Sequence, residues 1–208
     1  KKFFKIKSIG SMGEPLSPDV CNWYTNLFFK KEKSVVNTYF QTETGGIICS
    51  PKYSNKQKAP CGSVGKALNK NIKICQLTTN KKSELIIKEP WPGCMIDVMN
   101  GENVWKKYWT YKKEFKLFDL GTRDKYGNFY IHGRIDDVIN IRGHRIGSEE
   151  IESIILKISE VIECCAISVP DKLEGEKFLL FLVPRKRNMV KKDKVIKLIK
   201  EHFGTFAI

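Results

Sequence analysis

A polar segment in the first quarter of the chain contains the residue types that bind a nucleotide phosphate. Residues 41–46 read QTETGG, so hydroxyl groups, one carboxylate and bare glycine amides lie next to one another. Such amides and hydroxyls donate to phosphate oxygens, and the Glu43 carboxylate can hold a Mg²⁺ ion that a phosphate also binds. Taken alone, the segment would be a polar hairpin. It predicts a nucleotide loop only if other motifs support it.

Three other groups of residues could complete such a site. Residues 10–15 read GSMGEP, residues 133–145 read GRIDDVINIRGHR, and Asp119 is a carboxylate at the end of an apolar run. Arg134 and Arg145 offer permanent charges with forked donors, which suit phosphate and sugar oxygens. Each also has a plainer explanation: the arginines could form surface ion pairs with neighbouring carboxylates, and Asp119 could cap a turn.

The elements that must position these residues follow from the apolar pattern. Residues 15–29 contain a Ser-Pro pair near their start and predict a capped helix. Residues 35–40 are β-branched and aromatic and predict a buried strand that leads into QTETGG. Residues 117–119 and 129–131 predict two strands around a turn that contains Gly127.

Beyond residue 134 the pattern changes to that of a compact module of helices and strands. Residues 149–158 place isoleucines at helical spacing, and residues 190–203 predict a second helix. Residues 162–169 and 178–183 alternate as strands. We therefore expect a domain boundary near residue 134, between a β-rich region and a small unit with two helices and three or so strands.

The composition is that of a globular protein. Of 208 residues, 41% are hydrophobic, and no apolar run approaches the roughly 18 residues that cross a bilayer. The seven cysteines show no CxxC spacing and predict buried thiols in a reducing compartment. The scattered histidines and the absence of GxSxG argue against a histidine metal cluster or catalytic histidine. The default interpretation is a soluble intracellular protein.

The order of these motifs resembles the acetyl-CoA and propionyl-CoA synthetases of the adenylate-forming (AMP-binding) superfamily. The resemblance is carried in sequence order by GSMGEPLSPDVCNWY, VVNTYFQTETGG, EPWPG, Asp119 and GRIDDVINIRGHRIGSEEIE. It implies an α/β fold with an α+β part. Residues 1–134 would be the C-terminal part of a large AMP-binding domain, and residues 135–208 a truncated, small, mobile C-terminal domain.

The same resemblance implies an AMP-forming acyl-CoA ligase. A short-chain carboxylate, acetate or propionate, would attack the α-phosphate of ATP, and the thiol of coenzyme A would then displace AMP from the acyl-adenylate. The implied cofactors are ATP, Mg²⁺ and coenzyme A. The phosphate loop and catalytic lysine of these enzymes would lie outside the 208 residues, so we expect this chain to be inactive alone.

By position in these motifs, both parts of the chain would contact the nucleotide. Asp119 would accept both ribose hydroxyls, although Phe118 precedes it where these enzymes usually have glycine. Glu43 would hold Mg²⁺, and Arg145 would reach the phosphate as a catalytic residue. The implied ATP and AMP contacts are Gly13, Glu14, Pro15, Asn37, Thr38, Tyr39, Gln41, Thr42, Asp119, Arg134 and Arg145.

The resemblance assigns the other substrates as well. Met12 and Phe40 would form walls of the carboxylate pocket, and Phe40 stands where these enzymes commonly have Trp. Asp136 would be the hinge about which the small domain rotates between the two half-reactions. The implied coenzyme A contacts are Arg142, Gly143 and Lys200.

Three other functions remain open at this point. Another adenylate-forming ligase, for a medium-chain or aryl acid, would share Asp119 and Arg134. A noncatalytic nucleotide-binding relative would keep the same motifs. A nucleic-acid module would explain the net charge of +14, but no aromatic residues are interleaved with the basic tail. We expect small-molecule substrates, no nucleic acid or membrane partner, and a cytoplasmic or organellar-matrix location; the oligomeric state is not determined.

Overall fold

The chain divides into two compact units, Lys1–Ile131 and His132–Ile208. The computed structural model describes residues 6–29, 35–52, 58–68, 73–76, 82–173, 175–186 and 190–207, and of Arg145 it describes the main chain alone. Each unit has its own hydrophobic core. The fold class is α/β with a small α+β unit, as the sequence predicted. The division lies just before the predicted boundary between residues 134 and 135.

The first unit contains two helices and three small sheets among its described residues. Its elements are β1 (Gly10–Ser11), α1 (Pro18–Phe29), β2 (Val36–Asn37), β3 (Tyr39–Gln41), β4 (Gly46–Ser50), β5 (Lys66–Ala67), β6 (Ile74–Gln76), β7 (Ser83–Ile87), α2 (Glu102–Lys107), β8 (Phe115–Arg123) and the start of β9 (Phe129–Arg134), a strand that continues past Ile131 into the second unit. β1 and β2 pair in parallel, β3, β4 and β5 form an antiparallel sheet, and β6 to β9 form a four-stranded sheet in chain order.

Helix α1 begins at the cap that the sequence predicts. The Ser17 hydroxyl accepts a hydrogen bond from the Val20 N–H at 3.2 Å, and Pro18 is the first helical residue. Cys21 and Phe29 are buried, so the helix packs along one face. The predicted strand at residues 35–40 is also present, but it is interrupted between β2 and β3.

The core of the first unit comes from the two larger sheets. Ile48, Leu85, Phe115 and Leu117 are fully buried. Buried and half-buried positions alternate along most of β8, because side chains of a strand point to opposite faces in turn. This alternation places Asp119 on the buried face of β8, in line with Phe115 and Leu117.

The turn between β8 and β9 has the chemistry that its sequence predicts. Asp124 Oδ1 accepts hydrogen bonds from the N–H groups of Tyr126, at 2.9 Å, and Asn128, at 2.8 Å. Gly127 has a φ of 88°, in the left-handed region where a side chain is unfavourable. The turn therefore fixes the end of β8, where Arg123 is the last residue.

The second unit is a four-stranded antiparallel sheet with two helices. Its elements are β10 (Val138–Ile141), β11 (His144–Gly147), α3 (Ser148–Ile155), β12 (Val161–Asp171), β13 (Gly175–Pro184) and α4 (Lys192–Phe203). The strand order is β11, β10, β13, β12. Ile151 and Ile155 of α3 and Val195 and Ile199 of α4 pack in one core. None of the described helices of either unit is long and apolar enough to cross a membrane.

Candidate nucleotide site

The best-defined polar cluster of the first unit surrounds Asp119. Asp119 is only 6% exposed and lies within β8, so it does not cap a turn. Its Oδ2 accepts hydrogen bonds from the Tyr39 hydroxyl and the Gln41 side-chain amide, both at 2.6 Å. Gln41 also donates to the Leu117 carbonyl oxygen at 2.7 Å. Three residues of the predicted nucleotide site therefore meet, although Asp119 and Tyr39 are 80 positions apart.

These hydrogen bonds decide the orientation of the Asp119 carboxylate. A buried carboxylate is strongly unfavourable unless it is hydrogen-bonded, and bonds to an ionised acceptor are stronger than neutral ones. Tyr39 and Gln41 both lie on β3, which ends beside β8 at this point. The network therefore fixes one carboxylate oxygen before any ligand is present.

Phe118 has a left-handed backbone conformation, which glycine adopts more readily than a residue with a side chain. Its φ is 55°, and for a residue with a side chain this costs about 1–2 kcal/mol. The Phe118 ring packs edge-on against Tyr108 at 5.1 Å, and the Lys116 ammonium lies 5.0 Å from the ring centre. These contacts offset part of the strain, so β8 keeps its irregularity without the glycine.

Glu84 is a buried carboxylate opposite this irregularity that the sequence analysis missed. The register of β7 against β8 shifts between Glu84 and Ile86. Burial raises the pKa of Glu84, although Lys116, 3.6 Å away, and the Phe118 N–H both act to lower it. The sequence feature that could have identified Glu84 as a buried carboxylate is its position as the lone acidic residue in the otherwise mostly apolar strand SELII.

Glu43, the predicted magnesium ligand, lies in a short 3₁₀ turn, Thr42–Thr44, between β3 and β4. It is half-buried, and its Oε1 accepts a hydrogen bond from the Tyr108 hydroxyl at 2.9 Å. Among the described residues no group of three or more His, Cys, Asp or Glu could hold a metal ion. A single positioned carboxylate still fits Mg²⁺, which commonly takes one or two carboxylates and completes its shell with phosphate and water.

The QTETGG segment is a hairpin connection in which one of the two threonines is structural. Thr44 is fully buried, and its hydroxyl lies 2.8 Å from the Gln41 carbonyl oxygen and 2.9 Å from that of Gly46. The Gln41 N–H also donates to it, at 3.0 Å. The Thr44 hydroxyl is therefore used within the hairpin, while Thr42, the threonine predicted to lie beside the nucleotide, is exposed.

The EPWPG segment packs directly against this hairpin. A side chain on Gly45 would meet the Gly93 carbonyl oxygen at 1.9 Å, and the φ of Gly45 is 66°. The Met95 N–H donates to the Glu43 carbonyl oxygen at 2.8 Å. The two motifs thus form one structure, in which close backbone contact requires glycine at position 45.

Asn37 and Thr38 mainly hold the first strands together. Asn37 is buried and its side-chain amide donates to the Ser63 carbonyl oxygen at 3.2 Å. The Thr38 hydroxyl lies 3.3 Å from the Ser11 carbonyl oxygen, across the pairing of β1 with β2. These contacts occupy both side chains, so nucleotide contacts from Asn37 or Thr38 remain predictions.

The predicted adenine and carboxylate residues lie on the surface of the first unit. Gly13, Glu14 and Pro15 are exposed. Met12 is 56% and Phe40 37% exposed, which is high for large apolar side chains. The pairing of β1 with β2 places Ser11 opposite Asn37, and the Thr38 N–H donates to the Ser11 carbonyl oxygen at 3.0 Å, so Met12 follows directly after this pairing and Phe40 lies two residues beyond Thr38.

In the second unit, Arg134 and Asp136 form an ion pair. A surface pair of this kind was the alternative to a nucleotide contact for Arg134. Arg134 Nε lies 3.2 Å from Asp136 Oδ1, and both side chains are exposed. Exposed pairs of this kind contribute little to stability. The contact is therefore compatible with a role in which Arg134 exchanges partners.

The remaining predicted residues of the second unit lie on a turn and a helix. Arg142 and Gly143 connect β10 to β11 with φ values of 50° and 82°, the pattern of a type I′ hairpin turn. Nothing lies within 4 Å of a side chain added to Gly143, so glycine is favoured at this position by its left-handed backbone conformation and not by lack of space. Lys200 is exposed on α4, and the side chain of Arg145 lies outside the described residues.

Comparison with known families identifies the family of this chain. The profile of the family described as AMP-binding enzyme matches residues 1–109, and that of the AMP-binding enzyme C-terminal domain matches residues 150–208. This chain therefore belongs to the AMP-binding enzyme family. The resemblance identified from the motifs is confirmed at this level.

The matches to individual relatives cover most of this chain but only a small part of each relative. An acetyl-coenzyme A synthetase of Syntrophus aciditrophicus is 32% identical over 179 residues, which is 82% of this chain and 28% of that protein. The acetyl-coenzyme A synthetase of Drosophila melanogaster is 31% identical over 219 residues, 98% of this chain and 32% of that protein. The chain thus spans about a third or less of these relatives.

Solved structures of adenylate-forming enzymes have the same fold. ATP-bound MatB from Rhodopseudomonas palustris has a TM-score of 0.82 at 23% identity, covering 97% of this chain and 40% of that one. o-Succinylbenzoate CoA synthetase (MenE) from Bacillus subtilis, in complex with an acyl-adenylate, has a TM-score of 0.79 at 26% identity, covering 98% and 41%. The predicted fold class is confirmed.

Proposed function

We propose that this chain supplies the nucleotide-holding part of an AMP-forming acyl-CoA ligase for a short-chain carboxylate, acetate or propionate. The observation that carries the proposal is the buried network in which Tyr39 and Gln41 hold the Asp119 carboxylate. A carboxylate fixed in advance binds hydroxyl groups without a cost of reorientation. The similarity to acetyl-coenzyme A synthetases supports the substrate class.

In this proposal the first unit grips the nucleotide. Asp119 accepts hydrogen bonds from the ribose hydroxyls, and Glu43, oriented by Tyr108, would hold Mg²⁺, which would supply positive charge to the phosphates. Gln41 and Thr42 lie beside the nucleotide. Gly13, Glu14 and Pro15, which are exposed, pack along the adenine. In the reaction, an oxygen of the substrate carboxylate would bond to the α-phosphorus of ATP while the α–β phosphoanhydride bond breaks, which gives the acyl-adenylate and releases pyrophosphate.

The second unit supplies cationic side chains and the hinge residue. Arg134 leaves its exposed pair with Asp136 for the ribose, an exchange that costs little because surface ion pairs are weak. Arg145 meets the phosphate, and Asp136 is the hinge between the two half-reactions. Coenzyme A contacts Arg142, Gly143 and Lys200.

Met12 and Phe40 are proposed to limit the length of the carboxylate. Both are exposed apolar side chains of the first unit, and covering them with an aliphatic group is favourable. One methylene in such a pocket is worth about 1–3 kcal/mol, enough to change the order of acetate, propionate and butyrate.

The parent protein's carboxylate-dependent exchange of pyrophosphate into ATP tests the proposal. We expect acetate or propionate to give the fastest exchange, followed by butyrate, with benzoate and o-succinylbenzoate far slower. Preference for an aryl acid would contradict the substrate and support the aryl ligase to which the MenE similarity points. Nucleotide binding with no exchange for any acid would indicate a noncatalytic relative.

Experiments on the 208-residue chain test whether it binds the nucleotide without completing the reaction. We expect it to bind AMP, with binding weakened by Asp119→Asn, and to show no exchange with acetate. Exchange at the rate of the parent protein would contradict the proposal that these residues lack part of the catalytic machinery. Failure to bind AMP at all would contradict the role of the Asp119 network.

A further inference from the structure

The first unit has a second polar region, away from the Asp119 network, in a cleft of about 550 Å³. Its side chains are mostly cationic or aromatic, and they include Lys66, Lys73, Lys88, Arg123, Tyr126 and Phe129, which we call the basic cleft. This volume lies within the range of small-molecule sites, roughly 300–1,000 Å³. None of these residues belongs to the motifs that define the nucleotide site.

The four cations come from four different segments of two sheets, the three-stranded sheet that contains β5 and the four-stranded sheet of β6 to β9. Lys66 is on β5, Lys73 precedes β6, and Lys88 follows β7, with its N–H donating to the Lys73 carbonyl oxygen at 3.1 Å. Arg123 ends β8. Positive charges gathered in one concave surface repel one another, so their convergence is favourable mainly when an anion is bound.

Carboxylates in the described part of the chain neutralise little of this charge. Lys73 pairs with Glu89 at 2.5 Å, on the exposed surface. Lys66, Lys88 and Arg123 form no salt bridge with a described carboxylate. At least three cationic groups are thus available to a ligand.

Arg123 is held in place by its surroundings. Its guanidinium carbon lies 5.5 Å from the centre of the Phe129 ring. A side chain added to Gly127 would come within 3.3 Å of an Arg123 nitrogen, so glycine leaves room for the guanidinium above the turn. A planar cation stacked in this way loses less entropy when it binds a phosphate.

Cys75 lines the same cleft, and the pKa of its thiol responds to the charges around the cleft. Burial raises the pKa of the Cys75 thiol, with Glu114 acting in the same direction, while Lys88 and Arg123 act to lower it. The positive charge thus reaches the cleft interior. Cys75 also offers a natural label, since a ligand seated in the cleft would shield it from alkylation.

We propose that the basic cleft binds a small oligophosphate-bearing molecule at a site separate from that of Asp119. Arg123 and Asp119 are four positions apart on β8, about 13 Å at about 3.3 Å per residue. A concave site with one stacked arginine fits a compact anion better than an extended strand, which would require a row of stacking aromatics. Free oligophosphate and the phosphates of a nucleotide share this chemistry.

Calorimetric titration of the 208-residue chain with inorganic tripolyphosphate tests the proposal. We expect saturable binding that is weakened about tenfold or more in Lys66→Gln/Lys88→Gln, because both lysines would contact the phosphates. The control, Lys157→Gln/Lys172→Gln, removes the same charge from exposed positions of the second unit and should change affinity less than about twofold. No saturable binding, or equal losses in both variants, would overturn the proposal.

Two further measurements separate this site from the nucleotide site and from nucleic-acid binding. Asp119→Asn should weaken AMP binding but leave tripolyphosphate affinity unchanged, and Lys66→Gln/Lys88→Gln should do the reverse. Tripolyphosphate should slow alkylation of Cys75 but not of the exposed Cys165. Tight binding of a generic oligonucleotide, lost in Lys66→Gln/Lys88→Gln while tripolyphosphate does not bind, would contradict the small-ligand site.

Discussion

The two units hold their candidate nucleotide residues in different ways. In the first unit Asp119 is buried, and side chains of another sheet fix its carboxylate. In the second unit Arg134 and Asp136 are exposed, and Gly143 is distinguished by its left-handed backbone alone. Packing therefore preorganises the first unit, whereas local main-chain conformation and weak surface contacts define the second. Substitution of Asp119 should therefore act mainly on binding, whereas substitutions of Gly143 and Asp136 should act on stability, by about 1 kcal/mol or less.

The largest expected effect is that of Asp119→Asn. Hydrogen bonds to a charged group are worth roughly 1.5–3 kcal/mol each, so losing two should weaken the proposed use of ATP about 10²–10⁴-fold. Kinetic titration with ATP measures this. Asp19→Asn, in the exposed first turn of α1, is the matched control and should change the value less than about twofold. Equal losses would show that charge rather than position matters.

Gly143→Ala should have a moderate effect that is confined to the second unit. The φ of 82° disfavours any side chain, although the space around the new methyl group is open. We expect a loss of about 1 kcal/mol, seen as faster hydrogen exchange of the β10 and β11 amides. Gly46→Ala, also in open space but without a positive φ, should show no such loss. Similar behaviour of the two variants would contradict a conformational role.

Glu84→Gln should have a smaller effect that depends on pH. Because the pKa of Glu84 is raised in the folded protein, folding favours its protonated form. The stability gained from protonation is present below the unfolded pKa of about 4.3 and is lost as pH rises through the folded pKa. Denaturant unfolding between about pH 4 and 7 should therefore show the wild type losing stability relative to Glu84→Gln. A relative gain would mean that the Lys116 ion pair outweighs burial.

The smallest expected effect is that of Asp136→Asn on stability. The pair with Arg134 is exposed on both sides, so its loss should cost about 0.5 kcal/mol or less. Thermal unfolding measures this, with Asp137→Asn, also exposed, as the control. A cost above about 1 kcal/mol for Asp136→Asn alone would show that this pair is a structural element and would remove the contrast between the units.

Much of the local structure could be predicted because its causes are local. Ser17 and Pro18 cap α1, Asp124 and Gly127 shape the turn after β8, and the isoleucine spacing defines α3. Each depends on residues a few positions apart, where propensity and hydrogen bonding act directly. The family could be identified from the order of its motifs for the same reason: motif residues are adjacent in sequence.

Other parts of the site had no usable local signal. Tyr108, which orients Glu43, lies 65 positions away from it, just after a short helix. Thr44 belongs to a motif rich in phosphate donors, yet its hydroxyl is used within the hairpin. Residue type alone does not distinguish a hydroxyl that binds a ligand from one that satisfies the backbone, because both are hydrogen-bond donors.

By itself, the sequence determined the family, the fold class and the inventory of charged and polar groups. Only the tertiary structure decided that the oxygen Oδ2 of Asp119 accepts hydrogen bonds from Tyr39 and Gln41, residues 80 and 78 positions away. It also decided that Phe118 takes the conformation of a glycine and that the cations of the basic cleft converge. The reason is physical: such contacts depend on strand register and core packing, which the whole unit sets together.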